Sequence, residues 1–253
     1  MDLKKYYNER YSQNYREKLN GYEVARWEAL FDVINKNINS NENKLVLDYG
    51  CGSGLYIKLW KLFFKDENLQ FADISQNALN RLTEKYSEYK NQTCEIINNK
   101  TSYADNSYDL IFSVEVLEHV ENLEDYLNEI YRLLKPGGKF IWTTPCANIL
   151  SVEHIYNIFT SNIEKTAEGF RRWKWEDPGH LRRLKTGEIK KILKKTGFSK
   201  VKFRFRAHLF SFLCTKYLMK KNKKLAEKLM LLDYKLFRIL PNAASMTGIA
   251  IKK

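Results

Sequence analysis

Cysteine is scarce in this 253-residue chain, and the four present are scattered. Cys51, Cys94, Cys146 and Cys214 stand far apart with no C-x-x-C spacing. That excludes a structural zinc site and a disulfide framework, and it points to a reducing compartment. Long apolar runs are missing too: no stretch approaches the about 20 residues with which a helix spans a bilayer. The opening residues, Met1-Asp2-Leu3-Lys4-Lys5-Tyr6-Tyr7, contain no apolar signal core, so a cytoplasmic location is expected, with a peripheral position at the inner membrane surface as the alternative. No internal repeat and no low-complexity tract occurs, which excludes a solenoid.

Acidic residues are scarce in one region only. Of 43 Lys and Arg, 19 fall within residues 185–253, against 3 of the 30 Asp and Glu. The net charge of +13 therefore resides in the C-terminal part, and the remainder is near neutral. Two readings stay open: an anionic partner (a membrane surface, a phosphorylated substrate, nucleic acid) or a lysine-rich solvated surface. The length suffices to bury a sizeable core in one α/β domain.

The most informative stretch is Val46-Leu47-Asp48-Tyr49-Gly50-Cys51-Gly52-Ser53-Gly54. An apolar strand ends in an acid and opens into a glycine-rich turn, with a helix expected over 55–64. This is the strand–turn–helix unit by which doubly wound proteins hold nucleotide-like ligands. Gly50 and Gly52 permit positive φ and close approach of a ligand to the backbone. A carboxylate at the strand end suits a ligand with a positive amino-acid end better than a pyrophosphate.

Residues 3–39 read as helical, with Leu19, Tyr22, Trp27, Leu30, Phe31 and Ile34 near helical spacing. Strands are expected at 44–48, 69–73, 95–97, 108–114 and 139–144, with helices between them; Ser75 caps one, and Pro136-Gly137-Gly138 stops another. The alternation implies a parallel sheet. Residues 146–180 break the rhythm and read as an insertion over the C-terminal edge of the sheet. A helix at 185–196, a Gly197 cap and a strand at 199–206 resume it. Residues 209–240 form a helical insertion, and 246–251 a last, antiparallel strand. The expected fold is therefore a Rossmann-like, seven-stranded, mostly parallel α/β sheet forming one domain over 1–253, with N-terminal helices in 1–40.

Asp73 ends the second strand, at the distance from the glycine turn expected of a ribose-binding acid. His119 and His180 are candidate general bases; His154 and His208 are the other two histidines. Arg171, Arg172 and Trp173 lie near the end of the insertion and Arg182 and Arg183 just beyond it; the arginines flanking it either clamp an anionic substrate or pair with Glu176, Asp177 and Glu188. In 209–240, Leu225, Leu229, Leu232, Leu236 and Ile239 recur at helical spacing beside Lys220, Lys221, Lys223, Lys224 and Lys228. That stripe either packs on the protein's own core or on a second subunit, or meets a membrane surface.

The acid-led glycine turn resembles motif I of class I S-adenosylmethionine (SAM) methyltransferases. Asp105-Asn106-Ser107-Tyr108-Asp109-Leu110-Ile111, followed by Glu115-Val116-Leu117-Glu118-His119-Val120, resembles strand four of their type 11 and ubiquinone-biosynthesis branches. Leu133-Leu134-Lys135-Pro136-Gly137-Gly138-Lys139 and the 180–198 segment resemble later motifs of the same families. The likeness covers about 44–144 and 180–206 and leaves 1–40, 146–179 and 209–240 uncovered. It implies that Asp48, Gly50 and Gly52 meet the methionine end of SAM. Asp73 and Ile74 would lie at the ribose, Ser102 or Tyr103 near the adenine, and Ser113 and Val114 along the cofactor. Tyr49 either shields the sulfonium or packs. Glu115, Glu118 and His119 occupy the place where ubiquinone-pathway enzymes are thought to hold a divalent metal; the other reading is a locally hydrogen-bonded helix start. Thr144-Pro145-Cys146 follows strand five rather than four, so Cys146 reads as incidental.

The expected function is methyl transfer from SAM, leaving S-adenosyl-L-homocysteine, to a hydroxyl oxygen of a small-molecule or lipid-linked acceptor. The alternatives are an RNA or protein methyltransferase using the basic C-terminal region, and a non-catalytic SAM-binding partner protein.

Overall fold

The computed structural model describes residues 2–13, 15, 23–39 and 43–253. Leu19 and Tyr22, expected in the first helical region, lie outside them. Two helices are described there, α1 (Leu3–Ser12) and α2 (Val24–Asn37). They lead into β1 (Val46–Tyr49), α3 (Ile57–Trp60), β2 (Leu69–Asp73), α4 (Gln76–Lys85), β3 (Thr93–Glu95) and β4 (Tyr108–Val114). Next come α5 (Leu123–Leu133), β5 (Leu134–Pro145), α6 (Val152–Phe159), the hairpin β6 (Ile163–Lys165) and β7 (Arg171–Trp173), and α7 (Thr186–Thr196). The chain finishes with β8 (Phe198–Arg206), α8 (Phe210–Leu213), α9 (Lys223–Phe237) and β9 (Ser245–Lys252).

Seven strands form one sheet in the order β3-β2-β1-β4-β5-β9-β8. β1 to β5 are parallel, and β9 runs antiparallel between β5 and β8. This is the Rossmann-like arrangement expected, with the antiparallel last strand in place. Alternation along each strand builds two core layers. Leu47, Ile111, Phe140 and Trp142 face α5 and α7. Val46, Leu110, Phe112 and Ile141 face α2 and α3, where Trp60 stacks on Phe112 at 4.0 Å between ring centroids.

Local differences have local causes. The helix expected over 55–64 is regular only over Ile57–Trp60 and continues as tighter turns, such as Phe63 N–H to the Trp60 carbonyl at 3.0 Å. β3 lies two residues earlier than expected, because Thr93, Cys94 and Glu95 pair with Phe71, Ala72 and Asp73. β5 begins at Leu134, which already pairs with Tyr108; the Pro-Gly-Gly segment then bulges out before Lys139 pairs with Leu110. Ser75 caps α4 by accepting from Ala78 N–H at 3.2 Å, as expected. Among the described residues no helix is long and apolar enough to cross a membrane.

Candidate functional site

A cleft of about 810 Å³ opens at the C-terminal ends of β1, β2 and β4, where open parallel sheets bind their ligands. Asp48, Tyr49, Gly50, Gly52, Asp73, Ile74 and Val114 line it. Gly50 and Gly52 have φ of +85° and +54°, and their turn is held by Gly50 N–H to the Ala72 carbonyl at 2.7 Å. Asp73 fixes the same turn: its carboxylate accepts from Gly52 N–H at 2.8 Å and Ser75 N–H at 2.9 Å. Burial nevertheless raises its pKa to about 6. Asp48 is 3 % exposed and accepts from Trp60 Nε1 at 2.8 Å. Burial, with the charge of Asp73 adding to it, raises its pKa to about 7. Two desolvated acids without a cationic partner among the described residues favour a ligand that brings a positive charge and hydroxyl groups.

On the side where Ser102 and Tyr103 were expected near the adenine, other residues line the cleft. Ser102 is exposed, with its Oγ 3.4 Å from Cys94 Sγ, and Tyr103 turns its hydroxyl toward the Phe71 carbonyl. Neither lines the cleft; Ile96, Ile97, Asn98 and Asn99 do. After β3 the chain reverses there, with Ile97 bridged to Lys100 and both asparagines at positive φ. The Asn-Asn pair was the available signal, since asparagine tolerates that conformation. Ser113 is also off the cleft, fully buried with its Oγ 2.5 Å from the Tyr126 hydroxyl. The Tyr49 ring is buried against Tyr126, and its hydroxyl donates to the Asn99 carbonyl at 3.0 Å, tying down the rim.

α1 lies across the cleft. Lys4 pairs with Glu95 at 2.7 Å, Asn8 bonds Ser75 at 2.8 Å, and Arg10 pairs with Asp177. Tyr7 and Tyr11 thereby enter the lining. The Tyr7 hydroxyl lies 2.7 Å from His119 Nδ1, which is also 2.8 Å from the Gly179 carbonyl. Burial holds the Tyr7 phenol well above its ordinary pKa, so it stays protonated. His119 lines the cleft and meets the His180 ring edge-on at 4.6 Å between centroids. His180 Nδ1 contacts Glu176 at 3.1 Å; burial opposes its charged form, but Glu176 and Glu118 outweigh that and raise its pKa.

The expected metal set is rearranged. Glu115 sits at φ +57°, clamped by Arg26 at 2.7 Å, Arg206 at 2.9 Å and Thr143 Oγ1 at 2.8 Å. This buried ion cluster keeps it from joining Glu118 and His119. His180 takes its place: Glu118, His119 and His180 each bring a ligand atom within 4.8 Å of the others. Glu118 Oε1 is buried without a hydrogen-bond partner among the described residues, 3.8 Å from His119 Nε2. Burial, and next the charge of Glu115, raises the Glu118 pKa.

The four residues expected at the substrate are elsewhere. Arg172 pairs with Glu164 across the β6–β7 hairpin at 2.8 Å, and Arg171 belongs to the same hairpin. Trp173 is buried and donates to Glu153 at 2.6 Å. Arg182 donates to the Val120 and Glu121 carbonyls. None of the four lines the cleft. Of the internal pairs expected with Glu176, Asp177 and Glu188, the structure shows Arg183 on Glu176 at 2.7 Å, while Asp177 pairs with Arg10 and Glu188 lies 3.9 Å from Lys185. Reading the sequence missed Tyr7, Trp60 and Arg26. The recurrence of tyrosine at 7, 11 and 15 was a usable helical signal for the first.

A family described as a methyltransferase domain matches residues 16–202. An uncharacterized protein of Methanocaldococcus jannaschii is 38% identical over 135 residues, covering 52% of this chain and 56% of that protein. The ubiquinone biosynthesis O-methyltransferase of Coxiella burnetii is 27% identical over 157 residues, covering 56% and 65%. Phosphoethanolamine N-methyltransferase 2 of Haemonchus contortus, solved with phosphomonomethylethanolamine and S-adenosylhomocysteine, has the same fold. Its TM-score is 0.58 at 18% identity, over 92% of this chain and 56% of that one. The chain thus matches little more than half the length of the first of these relatives.

Proposed function

We propose that this chain, which belongs to the methyltransferase-domain family, transfers a methyl group from SAM to a hydroxyl oxygen of a small-molecule or lipid-linked acceptor. When bound, SAM supplies a methyl group already activated on a sulfonium. Asp48 would receive the positive amino end, the Gly50–Gly52 turn the backbone of the methionine moiety, and Asp73 the ribose hydroxyls. The rim from Ile96 to Asn99 would hold the adenine. Two buried acids with raised pKa values and no cationic partner among the described residues support this assignment.

The observation carrying the hydroxyl reading is the Tyr7–His119–Glu118 arrangement in the same cleft. The Gly179 carbonyl can only accept, so its contact keeps the neutral imidazole proton on Nδ1. Nε2 is then the atom that takes the hydroxyl proton, and Glu118 Oε1 stabilises the imidazolium that results. Tyr7 orients the ring, and α1 excludes water. Positioning supplies much of the rate, because an activated methyl needs only in-line alignment. A second reading rests on the orphaned Glu118 Oε1. Glu118, His119 and His180 would hold a borderline divalent cation, whose chemistry there is to lower the pKa of a bound hydroxyl.

Transfer of labelled methyl from SAM into extract, separated into lipid, small-molecule, RNA and protein fractions, tests the proposal. Label in the lipid or small-molecule fractions is expected. Label in RNA or protein would overturn the acceptor class and favour the basic C-terminal region as the binding surface. SAM binding with no labelled fraction would favour a non-catalytic partner protein.

A further inference from the structure

Most of the apolar stripe of the last long helix does not pack on the protein; Leu229 alone of it is partly buried against the cluster with α2. α9 turns Ala226, Met230 and Tyr234 onto Ala25 and Ala29 of α2. Leu225, Leu232, Leu236 and Ile239 point the other way and are exposed, Ile239 at 69%. The neighbouring elements continue this pattern. Tyr156 of α6 and Phe212 of α8 are in ring contact at 5.0 Å, and outside that contact Ile158, Phe159 (85% exposed) and Leu213 face solvent. Cys214, just after α8, shares an apolar cluster with Met230, so α6, α8 and α9 adjoin.

The charges beside this face are mostly positive, with Lys223 paired to Glu227 at 3.7 Å. Lys216, Lys220, Lys221, Lys223, Lys224 and Lys228 are exposed, and Glu227 is the acid among residues 216–228. Further along, Lys235 and Arg238 are matched by Glu28 and Asp32 of α2. The excess positive charge is therefore concentrated between α8 and the first turns of α9. A second copy of the chain fits poorly here, since a two-fold contact would bring one lysine row against another. An apolar stripe about 22 Å long edged by lysines matches a surface with an oily interior and a negative boundary.

We propose that the exposed α9 stripe, with the adjoining ends of α6 and α8, docks the protein on an anionic lipid surface. The helix lies in the plane of the surface, its leucines enter the acyl boundary, and its lysines meet the headgroups. The proposal stands apart from the identity of the methyl acceptor.

The test is co-sedimentation of the full chain with vesicles of phosphatidylglycerol and phosphatidylcholine against phosphatidylcholine alone. The expected result is at least about tenfold stronger partition onto the anionic vesicles, weakening as salt rises. Leu236→Asp together with Ile239→Asp should lower that partition about tenfold or more at every salt concentration. Lys220→Glu with Lys224→Glu should abolish the preference for anionic lipid. All four positions are exposed and away from the cleft, so melting temperature and SAM affinity should stay those of the parent. No sedimentation with anionic vesicles at low salt, or equal partition onto both kinds, overturns the proposal. So does concentration-dependent dimerisation that Leu236→Asp removes, or tRNA binding that the lysine variant removes while vesicle binding is absent.

Discussion

Replacing Asp48 by asparagine should make the unliganded protein more stable at pH 8 while weakening its hold on SAM. The Asp48 carboxyl is buried and keeps a hydrogen bond from Trp60 Nε1 at 2.8 Å, which an asparagine oxygen can also accept. Burial raises its pKa from 3.8 to about 7. The folded state therefore binds this proton more tightly than the unfolded chain. The resulting stabilisation is complete below the unfolded value and is lost as pH rises to about 7. That rise corresponds to about 4 kcal/mol at most, and water in the cleft reduces this to roughly 2–4 kcal/mol. For a chain of this length, Asp48→Asn should raise the melting temperature by about 4–12 °C at pH 8 and by little at pH 4. SAM affinity should fall about tenfold or more as a charge-assisted contact becomes a neutral one. In the parent, affinity should climb as pH rises through about 7, and in Asp48→Asn that climb should flatten. Scanning calorimetry across pH, paired with titration calorimetry of SAM, reads both. An Asp48→Asn protein no more stable than the parent at pH 8, or binding SAM equally well, would refute the reasoning.

Gly52→Ala meets two obstacles, a φ of +54° and a Cβ that would collide with the Tyr11 hydroxyl. SAM affinity should drop at least about tenfold, and adding Tyr11→Phe should recover part of the loss; no recovery would show that α1 is not the obstacle. His119→Ala should cut kcat about 10²-fold or more with the SAM dissociation constant nearly unchanged, whereas Tyr7→Phe should cost about tenfold in kcat; single-turnover assays on the identified acceptor distinguish these. Glu115→Gln leaves Arg26 and Arg206 without their shared counter-charge, at a cost of about 3 kcal/mol, which urea denaturation would detect. If Glu115 were instead a metal ligand, the same variant would lose metal affinity at unchanged stability.

The order of strands and helices, the glycine turn and the two acids that face the cleft were legible in the sequence, because each rests on local patterning. Alternation of apolar residues, a cap at Ser75 and glycines at positive φ act over a few residues, and neighbouring chain cannot easily override them. Even where boundaries moved, at β3 and β5, the cause was cross-strand pairing between distant residues. The rest depended on what folding brought together. Sequence spacing grouped Glu115 with Glu118 and His119, but Arg26 and Arg206, 89 and 91 positions away, claim Glu115, and His180 from the insertion joins the pair instead. Tyr7 reaches His119 across 112 positions only because α1 folds back over the sheet. The arginines of the insertion looked available for an anion and proved to hold its hairpin and the adjoining loop. The leucine stripe of α9 suited the protein's own core or a second subunit more often than a membrane surface, and the packing of Ala226 and Met230 on α2 turned Leu225, Leu232 and Leu236 outward. Periodicity records which residues share a face of an element; which face the protein covers, and which charges meet there, is settled by contacts between segments far apart in the chain.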